Sequence, residues 1–157
     1  MHITSELAFA GAPARVAAML ADPDFATHLG EELHAENTTV SALDGGLAAV
    51  YSLPTPEVAA RVLGRTMTLT QTTTLDPEAR PDGTRTGRLT MTLAGIPAKA
   101  DGPVTISPTE AGSAMRYEAD FVVRIPLVGR RVEQLGVDNL QKAINTLQRV
   151  GNAWLTR

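Results

Sequence analysis

From Pro126 to Arg157 the apolar residues Val128, Val132, Leu135, Leu140, Ile144, Leu147 and Trp154 recur mostly at intervals of three or four, the period of an amphipathic helix. No proline follows Pro126. At about 1.5 Å per residue such a helix runs roughly 40 Å, enough to cross a small domain from end to end. A helix of that length with one apolar stripe needs a broad apolar surface to lie on. The upstream chain offers strands that could wrap around it.

His2 to Phe9 places Ile3, Leu7 and Phe9 on one face and His2, Thr4 and Glu6 on the other, the alternation of a half-buried strand. Pro13 suits the first position of a helix carrying Val16, Met19 and Leu20. Asp22-Pro23 reads as the cap and first residue of a second helix, with Phe25 and Leu29 inward and Gly30 as its stop. His34 to Ala42 and Leu47 to Leu53 favour extended structure about an Asp44-Gly45-Gly46 turn, a hairpin. Thr55 and Pro56, followed by Val58, Val62, Leu63 and Gly64, predict a capped two-turn helix between strands, long enough to act as a lid.

Met67 to Leu75 alternates strictly, with Met67, Leu69, Gln71, Thr73 and Leu75 on one face and, counting Thr66 just before it, Thr66, Thr68, Thr70, Thr72 and Thr74 on the other. Leu89, Met91 and Leu93 turn inward in the next strand, opposite Thr90 and Thr92. Gly95 to Gly102 is broken by Pro97, and the strand pattern resumes at Val104 and Ile106. In the last strand Met115, Tyr117, Ala119, Phe121, Val123 and Ile125 alternate with Arg116, Glu118, Asp120 and Arg124, so a slip of one residue would bury charge. Val122 is the exception. Strands joined by hairpins beside segregated helices make an α+β chain with an antiparallel sheet of about six to seven strands, curved around the terminal helix. Its 157 residues fit a single domain.

Composition narrows the function. A net charge of -3 lacks the positive field that nucleic acid requires, and 4% aromatic residues leave few platforms for stacking bases. The absence of cysteine excludes disulfides, thiolate nucleophiles and cysteine-held metals. No apolar run reaches the roughly 18 residues of a membrane span, and the amino terminus carries no leader pattern. The expectation is a soluble, cytoplasmic protein with no nucleic-acid partner.

Several details are punctuation rather than chemistry: Ala-Asp-Pro-Asp-Phe at 21–25, Leu53-Pro54 with the short helix ending at Leu63-Gly64, and Ile-Pro-Leu-Val-Gly at 125–129 leading into the final helix. With these the whole chain resembles the START-like superfamily of polyketide cyclases, lipid-transfer proteins and pathogenesis-related proteins, the SRPBCC or helix-grip fold. It is most similar to an uncharacterised actinobacterial branch of that superfamily. Where related proteins often carry tryptophan near the end of the middle strand, this chain has Leu75. The resemblance implies an apolar cavity between sheet and long helix and a hydrophobic ligand such as a lipid, sterol or polyketide. Some members catalyse cyclisation or dehydration, and others assist other proteins.

The space under the helix then falls to Met67, Leu69, Leu89, Met91, Leu93, Tyr117, Phe121, Leu140, Ile144 and Leu147. With three Phe and one Trp in the chain, few bulky groups exist to plug it. Gln71 and Thr73 interrupt the inward apolar series and could orient a ligand's polar end, though backbone or water would satisfy them equally. His28, Glu31, Glu32 and His34 are the one cluster with metal or acid-base potential, but their spacing matches no zinc motif and reads as a solvated helix end. Arg130 and Arg131 stand in the first turn of the long helix, where Glu118 and Asp120 are the expected partners. No catalytic residue, metal or cofactor is assigned. Three readings remain: a carrier of a hydrophobic small molecule or lipid, a cyclase or dehydratase, which would need a buried proton-transfer group, and a protein-interaction module using the threonine face.

Overall fold

A computed structural model describes residues 1–124, 127 and 129–157; Ile125, Pro126 and Val128 lie outside the described residues, as do the side chains of Val58 and Val62. The alternating amino-terminal segment forms β1 (His2–Phe9), followed by α1 (Pro13–Leu20) and α2 (Pro23–Glu32). Each helix opens with proline, and the Asp22 carboxylate caps α2 by accepting the Asp24 backbone N–H at 2.9 Å. Six further strands follow: β2 (Asn37–Leu43), β3 (Gly46–Pro54), β4 (Thr66–Leu75), β5 (Arg85–Leu93), β6 (Ala98–Thr109) and β7 (Gly112–Val123). A 3-10 turn (Glu57–Ala59) and α3 (Ala60–Leu63) interrupt the run after β3, and α4 (Gly129–Leu155) ends it.

The seven strands make one curved antiparallel sheet in the order β1-β7-β6-β5-β4-β3-β2. From β2 to β7 each strand pairs with the next in sequence, through short connections except for the 3-10 turn and α3 between β3 and β4, and β1 closes on β7 with Leu7 opposite Met115 and Ser5 opposite Tyr117. The concave face takes α4, whose close contacts are with β1, β7, α1 and α2. There Leu7, Phe9, Val16, Met19, Ile106, Val150 and Leu155 are buried in a solid core. Leu47, Ala49, Tyr51 and Leu53 on β3 pack with Ala26 in a second cluster under α2. On the outer face of β5 and β6, Asp101 accepts from Arg88 through two 2.8 Å bonds and from Thr90 at 2.8 Å. The Arg88 guanidinium holds the Asp101 carboxyl below its usual range.

Several local expectations change in three dimensions. Helix α2 continues through Gly30 to Glu32, because that glycine is buried against β2 and β3: a β-carbon there would overlap Thr38 and lie 3.1 Å from the Tyr51 ring. The helix stops instead in a left-handed turn at His34, φ 62°, with the Ala35 N–H bonded to the Gly30 carbonyl and the His34 N–H to the Glu31 carbonyl. That turn consumes the start of the expected strand, which begins at Asn37 rather than His34. Thr55 does not cap the following helix, which shrinks to the 3-10 turn and four-residue α3.

Strand β6 is continuous from Ala98 through Gly102-Pro103, with no break before Val104. Asp101 faces Asp120 and Val104 faces Tyr117 in one register, and only the intervening Gly102 and Pro103 leave the β7 ladder. Proline has no N–H to offer there. Finally, Glu118 bonds Arg116 at 2.8 Å and Asp120 meets His2 at 3.1 Å. The expected pairing of those carboxylates with Arg130 and Arg131 gives way to these cross-strand and same-strand partners, which the sheet holds nearer.

Candidate functional site

Because α4 rests on β1 and β7 at one side and on α2 at the other, it bridges β3, β4 and β5 without filling the space above them. A cavity of about 480 Å³ lies in that space, and a smaller one of about 160 Å³ continues it toward the start of α4. The two share walls at Leu53, Pro56, Met67, Leu69, Met91, Asn139, Leu140 and Ala143. Such volumes suit a small organic ligand, whose pockets span about 300–1,000 Å³.

All eleven residues expected at the ligand site line these chambers. Met67, Leu69, Gln71, Leu89, Met91 and Tyr117 enter the larger from the sheet, and Leu140, Ile144 and Leu147 close it from α4. Leu93 and Phe121 line the smaller. Many of the wall residues, including Met67, Leu69, Met91, Leu93, Leu140 and Leu147, are only partly buried although they face inward. Apolar side chains in the solid core end beside other side chains; these end beside open space.

The polar groups on the walls are few. Thr73 is 3% exposed and accepts from the Gln71 amide nitrogen at 3.4 Å, a long bond that leaves the Gln71 amide available to the cavity. The Tyr117 hydroxyl donates to the Leu89 carbonyl at 3.2 Å, and burial pushes its pKa up, so it stays protonated. Its ring is wall, and its hydroxyl is engaged by the backbone.

A polar rim went unrecognised in the sequence. Along α4 Asn139, Lys142, Thr146 and Arg149 recur at intervals of three and four, beside the apolar stripe of Leu140, Ala143, Ile144 and Leu147. Across the opening stand Glu32 and His34 from the end of α2, with Pro54 and Pro56 from the end of β3. Glu32 accepts from Arg149 at 3.1 Å. His28 meets Glu31 at 3.6 Å and tilts over the Trp154 ring, away from this rim. The four residues of the α2 cluster therefore divide between two places, and among the described residues no group of three or more His, Cys, Asp or Glu is placed to hold a metal. Leu20, Leu29, Leu33, Leu53, Val104 and Met115 complete the walls of the larger chamber. The α4 spacing was a readable signal for the rim; the α2 and β3 contributions depend on how the chain folds back.

Residues 4–155 match the model of a family described as a protein of unknown function, DUF2505. The chain belongs to the DUF2505 family. A search of curated proteins gives no sequence match. Among solved structures, this DUF2505 chain is similar to a START superfamily protein from Mycobacterium smegmatis, with a TM-score of 0.58 and 15% identity over 96% of this chain and 95% of that one. TTHA0849 from Thermus thermophilus gives 0.66 and 15% over 98% and 95%. The di-domain ARO/CYC StfQ from the steffimycin biosynthetic pathway gives 0.68 and 14% over 97% of this chain and 50% of that one. At such identities the likeness is one of fold, and the fold of this DUF2505 protein is START-like. No helix among the described residues is long and apolar enough to cross a membrane.

Proposed function

We propose that the protein binds and carries a hydrophobic small molecule or lipid in the cavity between its sheet and α4. The observation that carries this reading is the inward apolar surface of β4, β5 and α4, which ends on open space of about 480 Å³. A core closes such space when nothing else fills it, since each void forfeits dispersion contacts. Carriage is favoured over cyclase-type catalysis because, among the described residues, the titratable side chain on the sheet wall of the larger chamber, Tyr117, already donates its proton to the Leu89 carbonyl. Glu32, His34, Lys142 and Arg149 stand at the rim, and Lys99, which borders the smaller chamber, pairs with Asp101 at 3.7 Å.

Native mass spectrometry of freshly purified protein, followed by denaturing extraction, tests this directly. A co-purified apolar compound near one-to-one supports the reading. Ile144→Trp adds bulk to the larger chamber's wall: a carrier keeps its fold and loses the compound, whereas a filled core loses about 1–3 kcal/mol through overpacking. A clean apo mass, no thermal shift with a panel of lipids and polyketides, and a stoichiometric protein captured by the apo form would instead favour an interaction module.

A further inference from the structure

The rim of the larger chamber is chemically one-sided. Lys142 and Arg149 face the opening from α4, with His34 and Glu32 across it. Glu32 is taken by Arg149. Lys142 has no carboxylate within 4 Å among the described residues, and Asp138, one turn before it on α4, accepts from Gln134 instead. The opening thus carries one uncompensated positive charge on a chain whose net charge is -3. Beyond the rim the walls are mainly apolar as far as Phe121 and Leu135 in the smaller chamber; Gln71, Thr73 and Thr92 are neutral exceptions, and Lys99, which borders the smaller chamber, is paired with Asp101 at 3.7 Å.

His34 adds an independent sign. It occupies the left-handed position after α2, φ 62°, where glycine is the favoured residue and an ordinary side chain costs about 1 kcal/mol. A non-glycine residue in such a conformation at a cavity mouth places a ring where a glycine would leave nothing. The imidazole carries a hydrogen-bond donor and borders the same chamber as Lys142.

We propose that the ligand is a single-chain amphipath with an anionic head, held tail-inward, and that Lys142 and His34 bind the head at the rim. This rests on the carrier reading above and names the class of molecule carried. The tail lies under Leu140 and reaches from the larger chamber into the smaller. The charge stays at the opening, where water still solvates its outer side, so no ion is buried at the cost that burial would impose. Gln71 and Thr73, being neutral, suit a polar group along the chain rather than its charged end.

The test is displacement of the neutral fluorophore N-phenylnaphthylamine by hexadecanoic acid, hexadecyl phosphate and hexadecanol, all at low salt. The two anions are expected to displace it at concentrations about tenfold below the alcohol, the scale of one charge-assisted hydrogen bond at a partly exposed site. Lys142→Met is expected to remove that preference while leaving displacement by the alcohol unchanged; Lys142 is exposed, so the fold is retained. His34→Gly is expected to raise the thermal midpoint and still weaken anion binding, opposite effects that a purely structural histidine would not give. Whichever anion binds more tightly assigns the head as carboxylate or phosphate. Equal displacement by alcohol and anions, or a preference that survives Lys142→Met, overturns the proposal and leaves the carrier reading intact. No fluorophore binding and no displacement by any chain overturns both.

Discussion

The ring of Phe121 on β7 occupies the place that a β-carbon on Gly136 of α4 would take. Both residues line the smaller chamber, so this contact sets where that chamber ends. Gly136→Ala should gain about 1 kcal/mol in helix propensity and spend much of it moving the ring, which is the free end of a side chain beside open space. We expect a net stability change within about 1 kcal/mol in urea denaturation. Binding of hexadecanoic acid should weaken several-fold while that of decanoic acid holds, because only the longer tail reaches the displaced ring; equal weakening would place the tail elsewhere.

Truncation should separate the solid half of the interior from the hollow one. Ile106 is fully buried among close neighbours, and Ile106→Ala should cost about 2–5 kcal/mol, transfer plus a new void. Leu69 already faces the cavity, and Leu69→Ala should cost under about 1.5 kcal/mol, since its removal enlarges a space that exists. Urea midpoints of the two variants measure the contrast. Similar costs would mean that the cavity walls collapse onto each other in solution.

Burial pushes the Tyr51 hydroxyl from 10.0 to about 12, and burial raises Tyr117 as well. The unfolded chain releases these protons near pH 10 while the folded chain keeps them, so alkali favours unfolding. Stability should be fully present below pH 10 and fall by on the order of 2–3 kcal/mol for Tyr51 as the pH rises to 12. Denaturant midpoints against pH measure the fall. Tyr51→Phe should remove the Tyr51 share of the fall and leave that of Tyr117, losing only the long 3.4 Å bond to the Ala26 carbonyl.

Two glycines should resist even alanine. A β-carbon at Gly102 would overlap the Glu118 carbonyl oxygen, a backbone atom held in the β7 ladder. Gly102→Ala should cost about 3 kcal/mol or more, or abolish folding. Gly30→Ala should destabilise by about 1–3 kcal/mol despite the better helix propensity of alanine, because Thr38 and Tyr51 close on that site. Thermal midpoints above wild type for Gly30→Ala would mean that Thr38 and Tyr51 yield readily and that the site behaves as an ordinary helix-interior position.

Periodicity made the faces legible. The alternation of His2–Phe9, Thr66–Leu75 and Gly112–Val123 follows from the two-residue repeat of a strand, and the three-to-four spacing of α4 from the helix, both local properties that the order of residues determines. The eleven wall residues were legible for the same reason, since each lies on the inward face of its own element. What the sequence could not determine was distance between elements. Gly30 reads as a stop by composition and is a seat for β2 and β3 once the chain folds; the stretch from Gly95 to Gly102 reads as broken up to Val104, yet β6 already starts at Ala98 and runs on through Pro103, where the β7 ladder can spare an N–H. The hollow beneath Leu140 and the placing of Lys142 and His34 across its mouth arise because α4 is held at its sides by β1, β7 and α2, away from β3, β4 and β5. Residue order sets which side chains face inward; only tertiary packing sets whether they meet.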